Sequence, residues 1–196
     1  MLFIDYIPLM MANMAAGLVL LGIYSIWGLD KPQQSQWAAG FAAVGLVGVA
    51  TGLHMALTWP LPRLEQANLM WANILFGEPT VLLGALFLAL ALATGKNWSL
   101  TGIAPLALLW GGFAVAMGVC AMRLGLTQAP QMTGIAFILT GTGGVLLSPA
   151  MAMVRKPGSH RALRIVAGAL LIAAAGLFYL AMLNATYMHL QRYSQL

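Results

Sequence analysis

Apolar runs of about twenty residues follow one another along this chain, with only short polar breaks between them. The first covers 6–27 and is closed by Leu29-Asp30-Lys31-Pro32-Gln33-Gln34-Ser35-Gln36. The second, 37–58, stops at Trp59-Pro60-Leu61-Pro62, because two prolines so close together do not both fit a helix interior. Further runs are expected at 71–94, 100–122, 132–154 and 163–187. At 1.5 Å rise per residue such runs match the roughly 30 Å hydrocarbon layer of a bilayer. The pattern predicts an all-α fold, a polytopic transmembrane bundle of about six helices, as a single integral membrane domain over 1–196. The connections are short enough to make consecutive helices antiparallel neighbours, and none leaves room for a second domain.

Composition agrees. Hydrophobic residues make up 61% of the chain and charged residues 7%, where a soluble domain carries about 25% charged. The net charge of +5 would suggest nucleic acid in a soluble protein. Here the basic residues sit mainly in loops and no basic stripe is interleaved with aromatics, so no nucleic-acid role is expected. Membrane lipids are the expected surroundings, with a homo-oligomer or a larger membrane complex as the expected assembly. The first, third and fifth connections and their edges carry Lys31, Lys96, Arg155, Lys156, Arg161 and Arg164. The ends and the even connections carry Arg63, Arg123 and Arg192. This bias places the odd connections in the cytoplasm and both termini outside, in a prokaryotic cytoplasmic membrane. Asp5 stands where a signal peptide would carry basic residues, so the first helix is expected to be retained. The single cysteine, Cys120, excludes an internal disulfide.

Small residues supply contact surfaces. Gly48 and Gly52 form a small-xxx-small spacing, and Gly111-Gly112 and Thr140-Gly141-Thr142-Gly143-Gly144 permit close backbone approach. Phe76-Gly77-Glu78-Pro79-Thr80-Val81-Leu82-Leu83 has a faint similarity to 139–147, which would relate the hairpin of spans two and three to that of spans four and five.

Polar groups inside hydrocarbon are costly and usually face protein or water. His54 lies one turn before the end of span two, Glu78 lies inside span three just before Pro79, and His189 is expected at or beyond the end of span six. The expected topology puts all three toward the outer side, with Asn13, Asn73, Arg123 and Asn184. Three chemistries stand open. His54 and His189 are the available axial pair for a b-type haem serving electron transfer in an accessory or subunit protein. His54, Glu78 and His189 offer two imidazoles and a carboxylate to a divalent transition metal. Glu78 and His54, with the neighbouring Asn13, Asn73, Arg123 and Asn184, could instead line a polar pathway for a proton or small solute. The bland alternatives are a purely structural interaction protein, a Glu78 pair with Arg123 or His54, and a satisfied interhelical hydrogen bond at His54. The 13 methionines form no dense outer segment and are expected to fill the core. Trp27, Trp37, Trp59, Trp98 and Tyr187 are expected as interfacial anchors. No arrangement of residues supports an enzyme.

Gly52-Leu53-His54-Met55-Ala56-Leu57-Thr58-Trp59-Pro60-Leu61-Pro62 and Asn73-Ile74-Leu75-Phe76-Gly77-Glu78-Pro79 resemble a prokaryotic family of small multi-spanning membrane proteins, domain of unknown function 981. The resemblance implies a six-helix polytopic protein over nearly the whole chain and places His54 and Glu78 at the family's polar signature. It implies no activity, substrate or cofactor. The segment Arg63-Leu64-Glu65-Gln66-Ala67 departs from it as a longer insertion between the two signature stretches.

Overall fold

A computed structural model describes residues 6–60, 63–64, 67–68, 70–153 and 160–194. Among them six helices are long and apolar enough to cross a membrane: α1 (Ile7–Gly28), α2 (Ser35–Thr58), α3 (Met70–Gly95), α4 (Leu100–Leu124), α5 (Pro130–Ala152) and α6 (Arg161–Gln191). The chain therefore folds as an all-α, multi-spanning membrane bundle. Between α2 and α3 the inserted residues form a two-residue antiparallel pair, Arg63–Leu64 against Ala67–Asn68.

Helix ends follow from local chemistry. Pro8, Pro105 and Pro130 stand in the first turns of α1, α4 and α5, where a missing N–H costs nothing. Gly125 closes α4 in the left-handed conformation (φ 63°), its N–H reaching back to the Ala121 carbonyl. Pro79 sits inside α3, where its ring would crowd the Leu75 carbonyl and its nitrogen has no proton to offer. A wide π turn over Asn73–Gly77 precedes it and accommodates both defects within a continuous span.

The helices pack as antiparallel neighbours, α2 with α3, α4 with α5, α6 with α1 and α5 with α6, and glycines of the first three contacts lie against the partner's backbone. A Cβ at Gly52 would lie 2.6 Å from the Val81 nitrogen, and one at Gly84 would lie 2.6 Å from the Val49 nitrogen. Gly118 and Gly134 face each other's carbonyls in the same way at 2.6 and 2.7 Å, and Gly22 and Gly168 do so at 2.9 and 2.7 Å. Such approach lets backbones touch, which is how helices associate where lipid is as apolar as the core. Gly112, by contrast, faces open space. The two hairpins suggested by the faint internal similarity thus are two of the close pairs.

Helices α1, α3 and α5 are the more buried member of each pair. They run parallel to one another around the centre of the bundle, with α2, α4 and α6 outside them. Met10, Leu18, Phe87, Leu90, Phe137 and Leu171 are among the fully buried side chains that fill the space between.

Candidate functional site

Because α1, α3 and α5 run the same way, their first turns share one end of the bundle and their last turns the other. Three cavities lie in order along them. The first, about 210 Å³, is at the end where α1 begins and α6 finishes. It is lined by Met11 of α1, Trp71 and Phe76 of α3, Met132 and Thr133 of α5, and Asn184 and His189 of α6. The second, about 50 Å³, is central and almost wholly apolar, with Met14, Leu18, Leu83, Trp110, Phe137 and Leu171 in its wall. The third, about 760 Å³, lies at the far end among Tyr24, Asp30, Lys31, Asn97, Trp98 and Met151. Phe76, Phe137 and Phe178 pack in series, at 6.3 and 5.4 Å between ring centroids, and separate the first cavity from the second.

The far end is organised by Arg164, only 2% exposed. Its Nη1 and Nη2 meet the two Asp30 carboxylate oxygens at 2.8 and 3.0 Å. Its Nε donates to the Ser25 carbonyl at 2.9 Å and Nη2 to that of Ile26 at 3.0 Å. The Ser25 hydroxyl returns a bond to the Arg164 carbonyl at 2.8 Å. Gln34 completes the set: its amide donates to the carbonyls of Gly28 and Lys31, and its oxygen accepts from the Tyr24 hydroxyl at 2.7 Å. The last carbonyls of a helix have no partner within it. Here α1 ends in a π turn, Tyr24–Gly28, whose carbonyls turn to Arg164 and Gln34. From sequence alone, Arg164 figures only in the charge bias, just inside the last helix, and Asp30 only in a polar connection. A basic residue just inside a predicted helix, with a carboxylate at another helix end, was the available signal, and nothing in the spacing named the pair.

The residues singled out from sequence are dispersed. Nδ1 of His54 and the Tyr6 hydroxyl are hydrogen-bonded at 2.7 Å, on the exposed perimeter of α2. Glu78 is also exposed, about 12 Å along α3 from Met70, and forms no hydrogen bond or ion pair with a described residue. Neither the pair with Arg123 nor that with His54 is present; Arg123 is itself exposed. Asn13 of α1 donates to the Val44 carbonyl of α2 at 3.0 Å, and buried Asn73 donates to the Met70 carbonyl at 3.2 Å. His189 lies within α6 rather than beyond its end, and it alone shares a cavity with Asn184. His189 thus lines the first cavity, whereas His54 lines none of the cavities described. No three of the described His, Cys, Asp and Glu residues come close enough to hold a metal ion, so His54, Glu78 and His189 do not assemble as a ligand set. Arg155 and Lys156 lie outside the described residues.

One further polar group stands out. Thr51, Thr58, Thr94 and Thr140 each bond the carbonyl four residues back, the usual solution for a helical threonine. Thr80 is 3% exposed and its hydroxyl has no partner. It borders a void of about 10 Å³ shared with Asn13 and Gly48.

Neither curated proteins nor solved structures give a match to this chain. A protein family does, and over almost the full length: residues 1–192 match the family described as Protein of unknown function (DUF981). The six-helix bundle is therefore the fold of a member of the DUF981 family, to which this chain belongs.

Proposed function

We propose that this protein moves a small solute across the membrane along the axis of α1, α3 and α5, with the apolar centre as its gate. The register of the three cavities carries this reading. On α1 the lining passes from Met11 through Met14 and Leu18 to Tyr24; on α3 from Trp71 through Leu83 to Thr94; on α5 from Met132 through Phe137 to Met151. Polar groups line the two ends and hydrocarbon lines the middle, and a narrow apolar constriction holds a route shut by excluding water. Glu78 and His54 lie on the perimeter, off this axis, so the route does not use them. The haem- and metal-carrying readings that rested on His54, Glu78 and His189 draw no support from the geometry.

Because a dewetted gate leaks once it is made polar, the test needs no knowledge of the solute. Leu18→Ser and Leu171→Ser are expected to raise the osmotic water permeability of proteoliposomes, read by stopped-flow light scattering. Ala114→Leu, which adds side-chain volume at the wall of the central cavity, should reverse the rise when combined with either. Both serine variants must remain monodisperse in detergent; Thr140→Cys in a Cys120→Ser background reads the same gate, and should be shielded from a water-soluble thiosulfonate with Leu18 in place and labelled once Leu18→Ser is added. Vesicles no leakier than protein-free ones, together with a Cys at 140 that stays unlabelled in the Leu18→Ser variant, would sink the proposal.

A further inference from the structure

The cavity at the end where α6 finishes gathers an unusual set of donors. Met11 comes from α1, Met132 from α5, and Met188 and His189 from α6, so three thioethers and one imidazole reach one space from three helices. The Met188 sulfur is already turned toward a polar neighbour, lying 4.0 Å from the Asn184 amide nitrogen. Thioethers are soft, neutral ligands, and an imidazole is compatible with them; together they select a soft univalent ion over zinc, magnesium or calcium. Trp71 and Phe76 form apolar walls beside the donors. The first turns of α1, α3 and α5 oppose a cation here, whereas the last turns of α6, which carry Met188 and His189, favour one. Methionine also has three rotatable bonds, so its sulfur can swing onto an ion without moving the backbone.

We infer that this cavity is a binding site for a soft univalent metal ion, copper(I), held by Met11, Met132, Met188 and His189. The site goes beyond the translocation reading and does not depend on it, because equilibrium binding is measured without a membrane gradient.

The experiment is an anaerobic copper(I) titration of the full chain in detergent against the chromogenic chelator bicinchoninate, in a Cys120→Ser background that removes the thiol. The protein is expected to withdraw a single equivalent of copper from the chelator. Each of Met11→Leu, Met132→Leu and Met188→Leu keeps the side-chain volume and should weaken binding by about tenfold or more, since even outer-sphere changes at metal sites cost that much. The triple variant should withdraw none, while Met55→Leu, buried against α3, should behave as the parent. X-ray absorption of the loaded protein should show sulfur together with one nitrogen scatterer. Failure of the parent to compete, copper uptake undiminished in the triple variant, or displacement by equimolar zinc(II) would each overturn the site. None of these outcomes bears on water permeability, so the two proposals fail separately.

Discussion

Arg164 is a charge taken out of water with every compensation present: a carboxylate met by two nitrogens and two helix-end carbonyls. A buried pair of this kind contributes little compared with a well-packed apolar pair, yet breaking it from one side strands a charge. Asp30→Ala should therefore destabilise the protein by about 3 kcal/mol. Removing both charges, as Asp30→Ala with Arg164→Met, should recover part of that loss in a detergent thermal melt. A double variant as unstable as the sum of its single changes would show that the ion pair is not the coupled unit. At the other end of the bundle His54 behaves differently. Its hydrogen bond to Tyr6 lies on the exposed perimeter, where it ties the start of α1 to the end of α2 and lines none of the three cavities.

Between residue and bundle, the working unit is the glycine-closed helix pair. A Cβ at Gly141 would meet the Gly111 carbonyl and lie 2.7 Å from the Val115 nitrogen, so a side chain there has backbone, not a flexible tip, in its way. Gly141→Val should separate α4 from α5 and cost about 3 kcal/mol, the upper part of the range for overpacking. Gly112→Ala, one residue on in α4 and facing open space, should leave the melting temperature almost unchanged. Equal melting of the two variants would mean that the close approach is not what holds the pair. The same scale explains α3, which crosses as one helix despite Pro79: the π turn at Asn73–Gly77 absorbs the missing donor rather than breaking the span.

At the scale of the molecule, six crossings bring Tyr6 and the last turn of α6 to the same end, opposite Asp30, Lys31, Lys96 and Arg161. The excess of Lys and Arg at that opposite end is the ground for expecting it on the cytoplasmic side. Alkaline phosphatase fused behind residue 194 should therefore be active, and green fluorescent protein at the same position should be dark; the reverse pattern would invert the bundle. An active phosphatase fusion would put the wide cavity of about 760 Å³ on the inner side and the cavity with the methionines on the outer side.

Taken alone, the sequence determined the class of fold and the number of helices able to cross a membrane. Those follow from a local quantity, the length of an apolar run against the thickness of a bilayer; the preference of indole for its surface led to aromatics being expected near helix ends. Trp27, Trp98 and Tyr187 are accordingly exposed near helix ends, although Trp37 is drawn in against Tyr24 and Gly28. Small-residue contacts were legible at Gly48, Gly52 and Gly111, but their partners were not. Tertiary structure decided everything that depends on how each helix is rotated and which helix lies beside it. It joined Asp30 to Arg164 across 134 positions, set His54 on Tyr6, turned Glu78 outward and aligned three cavities along α1, α3 and α5. In a soluble protein the contrast between a polar and an apolar face announces that rotation. Here lipid outside is as apolar as the core inside, leucine and alanine surround each helix almost evenly, and the face that turns inward leaves little trace in the order of residues.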